Sequence, residues 1–175
     1  MKILSQKSAL ARLRAIKTAY QTDIQTNYED KAKNCLTCEV QGICCTDAHF
    51  VNVHITRLEA VAINKNLANF DEEKQREVYK RVAETVETYN LTSESDTFAQ
   101  TFACPLFEKG IGCLVHSVKP VPCIQHACYE RREDLPPDEL QINAEQKIER
   151  LNEKTFGKSK WLPLPIWLSF FYDKN

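Results

Sequence analysis

Apolar residues recur at three- and four-residue steps over residues 8–34, at Leu10, Leu13, Ile16, Tyr20, Ile24 and Tyr28. That period places them on one stripe of a long α-helix, with Arg12, Lys17, Gln21 and Gln25 elsewhere on the wheel. The stripe predicts core packing. Over residues 50–55 the period shortens, and Val51, Val53 and Ile55 alternate with Asn52 and His54, as in a short half-buried strand. Thr56-Arg-Leu-Glu59 has the spacing of a capping box and predicts a helix over about 57–66. A further helix is predicted over about 71–90. Val78, Val82 and Val86 form its inner stripe, Tyr79 and Tyr89 flank it, and Glu72, Glu73, Arg76, Lys80, Glu84 and Glu87 make a solvated face. Residues 91–96 read as a polar loop.

The second half is less regular. Two glycines in Glu108-Lys-Gly-Ile-Gly112 reverse the chain, which predicts a β-hairpin with Cys104 and Cys113 near its arms. Pro122 suits the first turn of a short helix carrying Cys123 and Cys128. After a charged run at 130–134 and a break at Pro136-Pro137, Leu140, Ile148 and Leu151 mark a helix over about 138–154. The tail, 161–172, is apolar and aromatic, and is expected to bury Trp161, Trp167, Phe170 and Phe171 across the core. Its alternative is an exposed patch for a protein partner. The expected fold is mostly α with a small β-hairpin, an irregular, cysteine-rich, metal-stapled α+β domain. One domain is expected over 1–175: an N-terminal helix (1–34), a cysteine-cluster metal-binding core (35–128), and a C-terminal helix with the aromatic tail (129–175).

The 175 residues suffice for an ordinary core. A formal net charge of −1 offers no basic field for nucleic acid. Lys2, Lys7, Arg12, Arg14 and Lys17 precede the first acid, Asp23, and read as the basic face of an amphipathic helix rather than an organellar presequence. The N-terminal sequence lacks the long apolar core of a secretory signal, and no run of eighteen apolar residues could span a membrane. A cytoplasmic protein with reduced thiols is the expectation.

Eight cysteines change the picture. They form two blocks, Cys35, Cys38, Cys44 and Cys45 (Cys-x2-Cys-x5-Cys-Cys), and Cys104, Cys113, Cys123 and Cys128. Grouped thiols in a reducing compartment point to metal or redox chemistry. A two-residue gap lets Cys35 and Cys38 converge on one ion, whereas side chains of adjacent residues diverge, so Cys44 and Cys45 serve different ions or different irons of a cluster, or one of them is left over. All eight are candidate metal ligands, expected to meet in one region, and eight sulfurs divide naturally into two four-ligand sites. Gly42, ahead of the pair, allows a tight turn. His49 and His54 are near enough in sequence to be considered, but the sulfurs suffice. Zinc and iron–sulfur clusters both accept all-thiolate sites. The single Cys-x2-Cys knuckle and the Cys104-Pro105 step shift the balance toward iron–sulfur.

Together the first block ending in Cys44-Cys45, Cys104-Pro-Leu-Phe107, Gly112 directly before Cys113, Lys119-Pro120 ahead of Cys123, and the four-residue gap to Cys128 resemble the YkgJ-like, or CxxCxxCC, bacterial cysteine-cluster family, described as zinc- or iron-chelating. The resemblance spans residues 35–128 and covers all eight cysteines. It departs from the family pattern at His116, Lys119 and Ile124, none of them a ligand position. It implies a metal-bound domain, related to one that looks to be present in a flagellin lysine methylase. Two functions follow. One is a metal-binding protein in metal handling, or a structural or redox module. The other is a metal-dependent enzyme or enzyme subunit in protein modification. No nucleotide-binding glycine loop, nucleophile elbow or His-Glu metalloprotease helix occurs, so no catalytic residue is assigned. An interaction module using the basic helix and aromatic tail is a third reading.

Overall fold

The computed structural model describes residues 3–32, 40–46, 51–94 and 97–172. It is mostly helical, with two two-stranded antiparallel ladders. The chain divides into two compact units, each built from two stretches: residues 1–41 with 119–159, and residues 42–118 with 160–175. The division falls inside the 35–128 stretch.

In the first unit, helix α1 (Gln6–Asn27) starts at Ser5, whose side chain accepts from Ser8 N–H. It packs on α5 (Val121–Gln125) and α6 (Asp138–Phe156). Leu4 N–H bonds Lys154 O at 2.9 Å, so the start of α1 lies beside the end of α6. The buried positions of α1 are Ala9, Leu13, Lys17, Tyr20 and Ile24, and they meet Val121, Ile124, Ala144, Ile148 and Leu151. Leu13, Tyr20 and Ile24 of the expected stripe are buried and Leu10, Ile16 and Tyr28 are half-buried, while Ala9 and Lys17 join the inner face. The Lys17 stem packs with the apolar residues while its ammonium donates to Lys119 O at 2.9 Å.

Helix α1 also ends earlier than its period suggests. The Asn27 amide donates to the Asp23 carbonyl at 3.1 Å and to its carboxylate at 2.7 Å, competing with helical hydrogen bonding, and a 3-10 turn follows at Glu29–Lys31. An isolated antiparallel bridge then joins Ala32 to Tyr129. That bridge explains a second departure: α5 stops at Gln125 because the backbone turns extended at His126, so Cys128 lies beyond the helix.

In the second unit, the capping box forms as expected. Glu59 N–H bonds the Thr56 hydroxyl at 3.3 Å, and the Glu59 carboxylate accepts from Thr56 N–H at 3.2 Å, which starts α3 (Arg57–Leu67). Helix α4 (Glu72–Thr88) is capped by the Asp71 carboxylate. It closes with Asn90 at φ +47°, Leu91 N–H bonding Val86 O and Asn90 N–H bonding Glu87 O. This is a Schellman motif with asparagine in the usual glycine place. Val78 and Val82 are buried, and the predicted acidic and basic face is exposed.

The expected strand shrinks to β1 (His54–Ile55), which pairs with β4 (Leu162–Pro163). His54 does not alternate outward. It is 5 % exposed and stacks on Phe98, with ring centroids 4.8 Å apart. Strands β2 (Phe107–Glu108) and β3 (Gly112–Cys113) form the predicted hairpin.

Helix α7 (Leu164–Tyr172) tolerates Pro165 because the first-turn N–H has no helical partner in any case. The tail reaches the core through Leu162, Leu164, Ile166 and Leu168, beside Ile55, Ile63, Val78 and Phe102. The expectation for its aromatics is corrected. Trp161, Trp167 and Phe171 are half-buried, and Phe170 is 43 % exposed, edge-on to Trp167. A nine-residue helix turns only one stripe inward, and aliphatic side chains fill it. No helix among the described residues is long and apolar enough to cross a membrane.

Leu168→Ala should therefore lower stability by about 2–5 kcal/mol in urea unfolding, the usual cost of a large buried truncation. Phe170→Ala should cost about 1 kcal/mol or less, since an edge-to-face pair is worth about that much.

Candidate metal centre

Residues 102–115 are held both by apolar packing, with Phe102, Leu106 and Val115 in the core and Cys104 and Cys113 against it, and by backbone hydrogen bonds. Phe102, wholly buried, donates its N–H to Val51 O at 3.0 Å. Two residues further on, Cys104 N–H bonds Cys45 O at 2.7 Å. The chain at Cys45 and the chain at Cys104 thus lie side by side in the second unit. Cys113 stands opposite Phe107 in the hairpin, and Leu114 N–H bonds Leu106 O at 2.9 Å. Cys44 and Cys45 lie on the single turn α2 (Ile43–Thr46), which begins just after Gly42. Gly42 has φ +79°, and a Cβ there would fall inside the ring of Phe107. Glycine is required both for the backbone angle and for the approach of the hairpin.

The unit boundary divides the sulfurs. Cys44, Cys45, Cys104 and Cys113 belong to the second unit, and Cys123 and Cys128 to the first. Cys35, Cys38 and His49 lie outside the described residues. The six described cysteines are reduced and partly buried. Among the described residues, no group of three or more Cys, His, Asp or Glu side chains is close enough to hold one metal ion. The bridge between Ala32 and Tyr129 brings the chain three residues before Cys35 beside the residue that follows Cys128.

Cys104 has the most developed environment. Burial, with a smaller contribution from the nearby Cys113 thiol, pushes its thiol up to about 12. Three features work the other way and favour the thiolate: the N–H groups of Leu106 and Phe107, and the Arg81 guanidinium. A sulfur held by backbone donors and a cation, but desolvated, is a poor free thiolate and a suitable ligand once a metal displaces its proton.

Around it, α4 grips the hairpin. Arg81 Nη1 donates to Phe107 O at 3.2 Å, and its Nη2 is 3.6 Å from a Glu108 carboxylate oxygen. Lys74 pairs directly with the same oxygen and reaches Glu77 at 3.0 Å. Sequence reading missed Arg81. On the helical wheel it flanks Val78 on the side away from Val82, at the edge of the apolar stripe, where a long basic side chain could equally have been at the solvent rim. In the first unit, the Tyr20 hydroxyl donates to Gln125, and burial raises its pKa, with Glu145 adding to the effect.

Comparison with family models, with curated proteins and with solved structures finds no match to this chain.

In metal-free protein, Cys104 should alkylate far more slowly at pH 8 than a free thiol of pKa about 8.5. Its rate should climb with pH through 10 without levelling, as residue-resolved mass spectrometry would show. Gly42→Ala should destabilise the second unit by more than the roughly 1–2 kcal/mol of the left-handed backbone alone, because the ring of Phe107 must also move.

Proposed function

We propose that this chain is a cysteine-cluster metal-binding protein that chelates an iron–sulfur cluster or zinc, with iron–sulfur preferred, as a structural or redox module or in metal handling in the reducing cytoplasm. The supporting observation is the hydrogen bond from Cys104 N–H to Cys45 O, together with the two N–H groups facing the Cys104 sulfur. Apolar packing holds two remote cysteine segments in register, and metal binding would add to that packing as folding energy. In this reading the eight cysteines are the thiolate donors, and Cys44, Cys45, Cys104 and Cys113 draw closer together on binding than they lie here. The metal, when bound, supplies either a closed structural cross-link or a one-electron centre. The residues of this chain orient the sulfurs, donate N–H groups to them and shield them from water.

Purification under strictly anaerobic, reducing conditions with metal and sulfide analysis tests the reading. Broad visible absorption with acid-labile sulfide is expected for a cluster, and a colourless protein with stoichiometric zinc for the other branch. Protein that carries neither, and takes up neither iron nor zinc, refutes it. Chelation should sharply reduce amide protection over residues 104–115 and 121–128, while α4, packed through its own valines, changes little.

A further inference from the structure

We propose that Cys104 and Cys113 are a dithiol pair, a modification site at which a low-molecular-weight disulfide oxidises the two side chains to one intrachain disulfide. Short backbone links bring the two residues together. Cys104 O accepts from Phe107 N–H at 3.3 Å, a β-turn hydrogen bond that keeps the two Cα atoms within about 7 Å. Phe107 stands directly opposite Cys113 in the β2–β3 ladder, where paired Cα atoms are about 5 Å apart. The bond from Leu114 N–H to Leu106 O carries the pairing one residue beyond the ladder. Both cysteines pack against the cluster that contains Phe102, Leu106 and Val115, so they separate only if that packing opens. The Cys113 thiol is also near enough to act on the charge of the Cys104 sulfur. Among the described residues, no third Cys, His, Asp or Glu joins the pair closely enough to hold a metal ion. A disulfide needs two sulfurs only.

The two sulfurs have different surroundings, and these set the order of reaction. Cys113 follows Gly112, where an added Cβ would meet nothing within 4 Å, and Ile111 at the hairpin tip is 67 % exposed. A small disulfide has room to approach there. The Cys104 sulfur is enclosed, and is faced by the N–H groups of Leu106 and Phe107 and by the Arg81 guanidinium. The Cys113 thiolate therefore attacks first. Its bond to one half of the oxidant forms as the oxidant's S–S bond breaks, and the other half leaves as a thiolate. Cys104 then gives its proton to solvent and attacks the Cys113 sulfur, its developing charge stabilised by the two N–H groups and the guanidinium. The mixed disulfide breaks and the second half of the oxidant leaves. Two protein thiols lose two electrons and two protons, and one small disulfide is reduced to two thiols. The bond needs no metal and so stands apart from the metal-binding reading, from which it withdraws two of the eight donors.

The test uses the reduced full-length chain, stripped of metal by a chelator, with glutathione disulfide as the oxidant. Remaining thiols are alkylated and linked peptides are identified by mass spectrometry. Cleavage after Lys109 places Cys104 and Cys113 on separate peptides, and fragmentation tells Cys113 from the cysteines that follow it. The Cys104–Cys113 link should exceed every other link of Cys104 by about tenfold or more, because packing gives the two sulfurs a high effective concentration. In urea that selectivity should be lost. Cys104→Ser should trap the glutathione adduct on Cys113, whereas Cys113→Ser should leave Cys104 largely unmodified. A native chain in which Cys104 forms no link, links mainly to another cysteine, or shows the same spread of links as in urea overturns the proposal. An adduct forming on Cys104 in Cys113→Ser as fast as on Cys113 in Cys104→Ser overturns the order of attack. The wild-type link decides the pairing even if either variant fails to fold.

Discussion

The backbone hydrogen bond between Cys104 and Cys45 is the joint on which the second unit depends. Closing so long an intervening segment costs loop entropy, and one hydrogen bond does not offset it. The offset comes from α3, α4 and α7, which surround Ile55, Ile63, Val78, Phe102 and Leu168. Phe102 links that core to the cysteines, since its N–H meets Val51 O just inside the pair Cys45 and Cys104. Packing thus places the chain, and the sulfur segments inherit the placement.

Gly42 shows how little tolerance the joint has. A positive φ turns the chain into the short helix that carries Cys44 and Cys45, and the ring of Phe107 fills the space a side chain would need. Phe107 is also the residue whose carbonyl Arg81 grips and whose N–H serves Cys104. One aromatic residue of the hairpin therefore couples α4, the Gly42 turn that leads into Cys44 and Cys45, and Cys104.

The two units use a common electrostatic device. In the first, Lys17 is 8 % exposed and donates to Lys119 O, four residues before Cys123. In the second, Arg81 donates to Phe107 O, between Cys104 and Cys113. Each places a sheltered cation on a carbonyl of a cysteine-bearing segment.

The features legible in the sequence are those decided within a turn or two of chain. The capping box at Thr56 and Glu59, the valine stripe of α4, the glycine-closed hairpin and the proline at the start of α5 need only neighbours to exist. The cysteine grouping also showed which residues to watch. Tertiary structure alone decided the rest. A helix stripe is a band wide enough that a lysine stem can pack as well as an aliphatic side chain, so only the carbonyl of Lys119 made Lys17 an inner residue. His54 faces inward because Phe98 covers it, and the tail docks through leucines because α3 and α4 leave an aliphatic seat. The unit boundary at Gln41 and Gly42, and with it the sorting of the sulfurs, depends on partners far away along the chain. Local pattern carries no information about such partners, since the contacts that choose them form only when the packed surfaces meet.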